Sequence, residues 1–245
     1  MLATYLSQVR RLAQNPAAPV ALYSDSDITL AINEARSQLA AEAACIRVMG
    51  SLAVTAGNQG PYAFTAINLS PAVGVLGVIN VRTMLYSVGS GQAWIRPRPF
   101  EWFSFYIQND PVPQAGPPAV WSVFGQGANG TIYFNLPDFD YTLSADTVCL
   151  PIPLVDDTTV EAIPPLWQSA VQYYAMYTIL LGAQTGARVQ EADKFLERYE
   201  LFVKRARQAA TPEVQPFIYS GVPSPVTANQ LGQGQGGGPP PGRGA

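Results

Sequence analysis

Histidine is absent from this chain of 245 residues, and only two cysteines are present, Cys45 and Cys149. The cysteines lie far apart and form no CxxC pair, so they do not make the ligand pattern of a zinc site. The lack of histidine also removes the usual histidine bases of serine and cysteine nucleophiles. We therefore expect no metal, no cofactor and no catalytic residues. We interpret both cysteines as free buried thiols, and a disulfide between them is left open.

Charged residues are scarce as well, at 13% of the chain with a formal net charge of −3. This composition lacks the basic stripe with which proteins bind nucleic-acid phosphates. Hydrophobic residues make up 48%, which excludes a disordered composition. Because the cores of protein interfaces are depleted in charge, the composition is typical of an assembly subunit covered by partners.

Long apolar runs are also missing. The most apolar stretch, residues 72–79, is followed by Asn80 and Arg82 and is far too short to span a membrane. In residues 1–12 the arginines follow an amphipathic pattern instead of preceding an apolar one, unlike a secretory signal. We expect a soluble protein made in a reducing cytoplasm, with no membrane partner.

Two segments near the start have helical periodicity. Apolar residues recur at helical spacing over residues 2–12. A second helix is predicted to begin within residues 24–27, because the oxygen of Ser24 or Ser26 can accept a backbone N–H as its cap. Its apolar face continues as far as Gly50, and its opposite face holds Asn33 and Arg36.

The middle of the chain, residues 52–149, has glycine and proline between short apolar runs. Residues 79–85 alternate in the manner of a half-buried strand. The runs 119–124 and 131–134 flank a glycine-rich turn that contains Asn129-Gly130, which favours a β-hairpin. We interpret this region as a small β domain.

Helical patterns return near the end. Pro164-Pro165 starts a helix that reaches Gly182, since proline is well tolerated in a first helical turn. A charged amphipathic helix follows and reaches Gln208. Beyond Gly221 the sequence is rich in proline, glycine and glutamine, and it cannot bury enough apolar surface to order itself.

Together these patterns predict an α+β fold in which a helical bundle carries an inserted small antiparallel β domain and an extended C-terminal arm. Residues 1–51 would supply the N-terminal helices and 52–155 the β-rich domain. Residues 156–212 would form the C-terminal helical pair that completes the bundle, and 213–245 the arm.

Two acidic pairs deserve a test as catalytic groups. Asp138 and Asp140 would share a face of a strand, where mutual repulsion can shift a pKa. Their Pro-Asp-Phe-Asp-Tyr context is nevertheless typical of a polar turn, and we favour that interpretation. Asp156-Asp157 is a weaker candidate of the same kind.

Aromatic residues cluster between residues 94 and 106, beside two arginines. Such residues can stack on bases or sugars, but packing in a core or a subunit interface is their more frequent use. We predict that three of the aromatic residues and both arginines contact a tail protein or a neighbouring subunit: Trp94, Arg96, Arg98, Trp102 and Phe105.

The order of the motifs, more than any one of them, resembles the phage head-to-tail connector adaptor proteins of the podovirus tail tubular protein A-like group. The residues that carry the resemblance are Trp121 to Gly125, Thr131 to Asp138, Tyr141 to Leu143, Leu150 to Leu154 and Ala162 to Trp167. A capped helix with the sequence Ile28 to Ala35 and a closing helical pair over residues 168–208 also match that group.

The resemblance implies a structural virion protein, made in the host cytoplasm, that is not an enzyme. Its copies, usually twelve, would form a ring at the capsid vertex, between the portal and the tail tube or nozzle. DNA would pass through the lumen without specific binding. In that group C-terminal segments grip the portal, which implies portal contacts for Gly221, Pro223, Pro225, Leu231, Pro239, Pro240 and Arg243.

Two alternatives remain open at this point. The chain could be another phage neck or tail-tube protein, with the β domain as the main oligomerising unit. It could also be a glycan-binding or glycan-hydrolysing virion module that uses Asp138, Asp140 and the aromatic residues around Trp102.

Overall fold

One mixed sheet dominates the computed structural model, which describes residues 1–14, 22–70, 73–88, 91–110, 113–182 and 186–210. Its eight strands are β1 (Arg47–Val54), β2 (Tyr62–Ala63), β3 (Asn68–Leu69), β4 (Val75–Val88), β5 (Gly91–Pro97), β6 (Val120–Phe124), β7 (Thr131–Phe134) and β8 (Tyr141–Pro151). The described part also contains five helices: α1 (Leu2–Leu12), α2 (Asp25–Ala43), α3 (Phe100–Phe103), α4 (Gln168–Gly182) and α5 (Gly186–Ala210).

The strand order shows that the sheet curls. The order is β2-β7-β6-β5-β4-β8-β1-β3, so β2 and β3 form the two opposite edges. The same two strands are joined by a single short turn, Phe64–Ala66, and one further residue. The five peptide steps from Ala63 to Asn68 span at most about 18 Å, so the sheet must bend until its edges approach each other.

The predicted helical bundle with a small inserted β domain is wrong as a description of this fold. The sheet extends from Arg47 to Pro151 and includes residues that we predicted to be helical. Helix α2 ends at Ala43 instead of Gly50, because Ala44 adopts a left-handed conformation with φ 49° and ψ 35°. Strand β1 then pairs with β8 along its whole length. The four-part division of the chain stays a prediction.

Several local predictions are confirmed. The Ser24 side chain caps α2 by accepting the Asp27 N–H at 3.1 Å. Strands β6 and β7 form the expected antiparallel hairpin, in which Trp121 lies opposite Phe134. The residues predicted as a half-buried strand lie in β4, but its pairing with β8 shifts register between Val78 and Asn80 and again between Val81 and Thr83.

The connection between the sheet edges is packed tightly into the interior. Phe64 and Ile67 are both buried in the main hydrophobic core. A Cβ added at Gly130 would lie 2.4 Å from the Phe64 ring, and one added at Gly50 would lie 2.4 Å from Ile67 Cγ2. Both glycines are therefore needed for close approach of the connection to the strands.

Four helices pack beside the sheet. Helix α2 contacts α1, α4, α5 and strand β8, and α4 lies against α5 and α1. The buried side of α2 is rich in small residues, including Ala31, Ala35 and Ala43. Within the described ranges, no helix combines the length and apolar character that a bilayer crossing requires.

Candidate partner-binding surfaces

Strand β5 presents two of the residues that we predicted to contact a partner. Trp94 and Arg96 lie two positions apart and share a face of the strand, while Ile95 between them is buried. Trp94 is 64% exposed. The Arg96 N–H donates to the Ala119 carbonyl at 2.9 Å, so the backbone is held while both outward side chains meet solvent.

A second group of exposed aromatic residues follows β5. Helix α3 continues into a π-helical turn, Ser104–Gln108. The ring centroids of Trp102 and Tyr106 are 5.2 Å apart, and those of Phe105 and Tyr106 are 4.9 Å apart. Arg98 Cζ lies 5.0 Å from the Trp102 ring centroid, within cation–π range. We call Arg98, Trp102, Phe105 and Tyr106 the aromatic surface.

The aromatic residues between 94 and 106 divide into an inner and an outer set. Phe103 is buried, and the Phe100 ring centroid lies 4.8 Å from that of Phe124 and 5.1 Å from that of Tyr133. These inner rings anchor α3 to the β6–β7 hairpin. In contrast, Phe105 is 70% exposed, so a partner could contact it without displacing the inner rings of Phe100 and Phe103.

The carboxylates considered as a catalytic pair have separate structural partners. The Tyr141 hydroxyl donates to Asp138 Oδ1 at 2.6 Å, and this hydrogen bond raises the pKa of Tyr141 to about 12. Asp140 Oδ1 accepts the Ala56 N–H at 2.8 Å. The two acids thus hold the start of β8 and the turn after β1, which agrees with their interpretation as turn residues.

The second acidic pair stabilises the loop after β8. Asp156 Oδ1 accepts the N–H groups of Thr158 at 2.9 Å and Thr159 at 3.0 Å. Hydrogen bonds from the Thr158 hydroxyl, and then from Thr159, lower the pKa of Asp156. Asp157 Oδ1 accepts the Ala3 N–H at 2.8 Å. Across the described ranges, no three histidine, cysteine, aspartate or glutamate side chains gather as metal ligands.

A buried polar cluster fixes the segment between β8 and α4. Arg36 is fully buried and donates to both Glu161 carboxylate oxygens, from Nη2 at 2.9 Å and from Nε at 3.1 Å. Its Nη1 also donates to the Ile152 carbonyl at 2.8 Å. The Asn33 amide accepts the Leu154 N–H at 2.8 Å and donates to the Leu154 carbonyl at 3.0 Å. We call Asn33, Arg36 and Glu161 the buried clamp.

Sequence reasoning missed the buried clamp. Asn33 and Arg36 were expected on the polar face of α2, opposite its apolar face, because helical periodicity separates polar from apolar positions. The only available signal was Glu161 as a lone acid in the short apolar run 160–163. The segment that the clamp holds exposes apolar side chains, with Val155 and Leu166 exposed at 79% and 77%.

The C-terminal end of α5 is bound by arginines from the sheet. The Ala210 carbonyl accepts hydrogen bonds from Arg47 and Arg82, and Arg47 also forms an ion pair with Asp146. Cations are favourable at this end of a helix because its last carbonyl groups are unsatisfied. Arg207 in the last turn of α5 instead donates to the Glu42 carbonyl at 2.6 Å.

The cysteines are free, as predicted, but one of the two is only partly buried. Cys149 is buried, whereas Cys45 is half-buried. Burial raises the pKa of the Cys45 thiol to about 11 and also raises the pKa of Cys149. Neither thiol is therefore activated as a nucleophile near neutral pH.

The residues predicted to contact a portal all lie outside the described part of the chain: Gly221, Pro223, Pro225, Leu231, Pro239, Pro240 and Arg243. Their role stays a prediction from the sequence.

Comparison with known protein families identifies a match over most of the chain. A protein-family model described as SU10 adaptor protein matches residues 2–226, a range that includes both the aromatic surface and the buried clamp. A comparison with curated proteins returned no match.

Proposed function

The chain belongs to the SU10 adaptor protein family, and from this membership we propose that its copies form a ring between the portal and the tail tube or nozzle. The resemblance to phage adaptors is confirmed by the family match. The family is one of phage structural adaptors, so the chain is a virion component that interacts with other phage head and tail proteins. The ring, its expected twelve subunits and its position in the neck belong to the proposal.

The observation that best supports a docking role is the solvent exposure of aromatic side chains in the aromatic surface. Its rings are held on a short helix whose Phe103 is buried, and Phe105 and Tyr106 nevertheless face solvent. Aromatic residues and arginine are enriched in the cores of protein interfaces and often dominate their binding energy. The aromatic surface, together with Trp94 and Arg96, therefore contacts a tail protein or the neighbouring subunit.

The C-terminal segment supplies the proposed contact with the portal. Residues 221–245 contain a single charged residue, Arg243, and many prolines and glycines. A segment of this composition can thread between subunits and order on binding, at the cost of conformational entropy. Portal contacts of Gly221, Pro223, Pro225, Leu231, Pro239, Pro240 and Arg243 would offset that cost only when the portal is present, which makes assembly sequential.

The remaining parts of the proposal follow from charge and chemistry. A chain with 13% charged residues and a net charge of −3 suits a lumen through which DNA passes without specific binding. The proposed role is structural and requires no catalysis or cofactor. The acids considered for catalysis are engaged in turns, as Asp138 is with Tyr141.

The first test is the mass and shape of the protein in solution, alone and mixed with the portal protein of the same phage. Light scattering and negative-stain imaging should find a ring when the portal is present. A protein that stays monomeric with the portal, yet binds polysaccharide, would overturn the proposal and favour the glycan-binding alternative.

Deletion of residues 221–245 separates the two proposed contacts. The truncated chain should keep its melting temperature and dock poorly on the portal, because residues 1–210 form a compact unit without that segment. As a matched control, Phe105→Ala should keep portal docking, since the proposal places this residue at the tail or neighbour contact. Unchanged portal docking of the truncated chain would refute the proposal that residues 221–245 bind the portal.

A second candidate function, another neck or tail-tube protein, is favoured by one observation. The sheet, which that alternative requires as the oligomerising unit, is the dominant element of the described fold. However, its two edge strands are only two residues long, and short edges pair poorly between molecules. Imaging distinguishes the two, because a tail-tube protein would form extended tubes without the portal.

A further inference from the structure

Strand β4 has an edge that is only partly paired. It pairs with β8 from Val75 to Tyr86, but with β5 only from Met84 to Val88. Within the described ranges, residues 75–83 therefore have no strand partner on the β5 side. An exposed row of backbone N–H and C=O groups is a template for another strand.

A cleft of about 700 Å³ is lined in part by the first residues of β4. Its walls come from residues 64–69, from Gly127 and Ala128 and from Leu150 of β8, and β4 supplies residues 75–79. None of the residues that line the cleft is charged. Leu76 is 64% exposed, and a Cβ added at Gly77 would meet no atom within 4 Å. The cleft is thus open and uncharged, and residues 75–79 in its wall have no strand partner on the β5 side within the described ranges.

These features define the kind of segment that fits. An extended peptide that adds to a sheet edge gains main-chain hydrogen bonds, and pockets for its side chains provide specificity. A cleft without charge favours a peptide without charge, because a buried unpaired charge is costly.

Of the uncharged segments in the C-terminal part of the chain, residues 217–220 are the only one with aromatic side chains. Between residues 214 and 242 the sequence has no charged residue. Phe217-Ile218-Tyr219-Ser220 lies between Pro216 and Pro223 and contains no proline itself, so each residue can donate its backbone N–H. Aromatic and β-branched residues such as the first three are also enriched in strands.

We propose that the β4 cleft receives residues 217–220 of a second copy of the chain as an added strand. The choice of a second copy rests on the proposed ring, in which each subunit would link to its neighbour. Between Ala210, the last described residue, and residue 217 the chain can extend about 25 Å. Residues from Gly221 onward remain available for the portal.

Disulfide trapping between full-length chains tests this proposal. A chain with Leu76→Cys is mixed with a chain with Tyr219→Cys and oxidised, and the mixed-chain disulfide is quantified by mass. The control pairs Tyr219→Cys with Leu166→Cys, because Leu166 is 77% exposed, somewhat more than Leu76 at 64%, but lies outside the cleft. We expect at least about tenfold faster trapping at position 76, which corresponds to 1.4 kcal/mol of binding preference. Equal rates at the two positions would overturn the proposal.

Filling the cleft provides a second measurement. Adding Gly77→Leu to the Leu76→Cys chain should slow mixed-chain trapping about tenfold, while the melting temperature stays unchanged because space is open at Gly77. An unchanged trapping rate would contradict the cleft as the binding site.

Two further outcomes distinguish binding of the chain's own segment from binding of a second copy's segment, and failure of the cleft proposal from failure of the ring proposal. If one chain with both Leu76→Cys and Tyr219→Cys forms only an intramolecular disulfide at any dilution, its own segment occupies the cleft and the second-copy proposal is overturned. The assay contains no portal, so failure of portal docking leaves its result intact. Loss of trapping with normal ring formation would overturn the cleft proposal alone.

Discussion

Arg36 and Arg98 show how the same side chain serves two different regions of this molecule. Arg36 lies in the buried clamp with no exposed surface and is paired with Glu161. Arg98 is exposed and lies over the ring of Trp102. The first arginine joins α2 to the loop after β8, whereas the second leaves its charge and a ring face available to a partner.

The two arginines differ in what their loss would cost the fold. A buried charge that loses its partner is expensive, so the clamp has little tolerance for change. An exposed cation–π pair is worth about 0.5–1 kcal/mol, so the aromatic surface can change with little effect on folding. The clamp holds the loop after β8 through hydrogen bonds and an ion pair, and the aromatic surface is held by the anchor rings of Phe100 and Phe103.

The largest expected effect is in the clamp. Glu161→Ala should lower the free energy of unfolding by about 3–5 kcal/mol, because Arg36 would remain buried without its counter-ion. Denaturant unfolding monitored by fluorescence measures this change. The control, Arg98→Ala, should stay within about 1 kcal/mol of the parent. A loss below about 1 kcal/mol for Glu161→Ala would show that the clamp does not form as described.

Valine substitutions at two glycines compare a tightly packed position with one that faces open space. Gly130→Val should cost about 1–3 kcal/mol, because its Cβ would overlap the buried Phe64 ring at 2.4 Å. Gly77→Val should cost little, since a Cβ at that position meets no atom within 4 Å. Thermal melts of both variants decide the matter, and equal shifts in Tm would contradict the packing of Phe64 against Gly130.

At the aromatic surface we expect a change in binding without a change in folding. Phe105→Ala should alter the free energy of unfolding by no more than about 0.5 kcal/mol, since the side chain is mostly exposed. If Phe105 is an interface anchor, association with the tail partner or neighbouring copy should weaken about tenfold or more. Sedimentation measures the association, and unchanged assembly would place the interface elsewhere.

The smallest expected effect concerns the turn at Asp138. The pKa of Tyr141 is raised to about 12 by its hydrogen bond to this carboxylate, above the value of about 10 for an unfolded chain. Its stabilisation is therefore complete below pH 10 and is lost as the pH rises from 10 to 12. Asp138→Asn should bring one tyrosine back toward pH 10 in a spectrophotometric titration. An unchanged tyrosine titration would exclude this hydrogen bond.

Several local structural features could be predicted from the sequence alone. The Ser24 cap, the hairpin of β6 and β7 and the existence of β4 all depend on residues close together in sequence. Backbone conformation, capping and turn chemistry act over a few residues, so a pattern in one segment is sufficient to predict them.

The errors have a common physical origin in long-range pairing. The segment around Ile46 and Val48 fits a helical face, but Val48 instead pairs with Thr147, nearly a hundred positions later. The two register shifts in β4 likewise depend on its partner β8, and they leave Met84 buried where simple alternation placed it beside Asn80 and Arg82. Such outcomes override local preference and leave no periodic signal.

Composition and the order of the motifs were thus enough to identify a phage adaptor, because both can be read from the sequence without knowing which residues are in contact. The family match over residues 2–226 supports that identification. The tertiary structure alone decided that the fold is dominated by a curled sheet, that Arg36 is a buried partner of Glu161, and that β4 leaves an edge unpaired. Each of these depends on which distant residues meet, and that choice is made by the burial and hydrogen bonding of the whole chain.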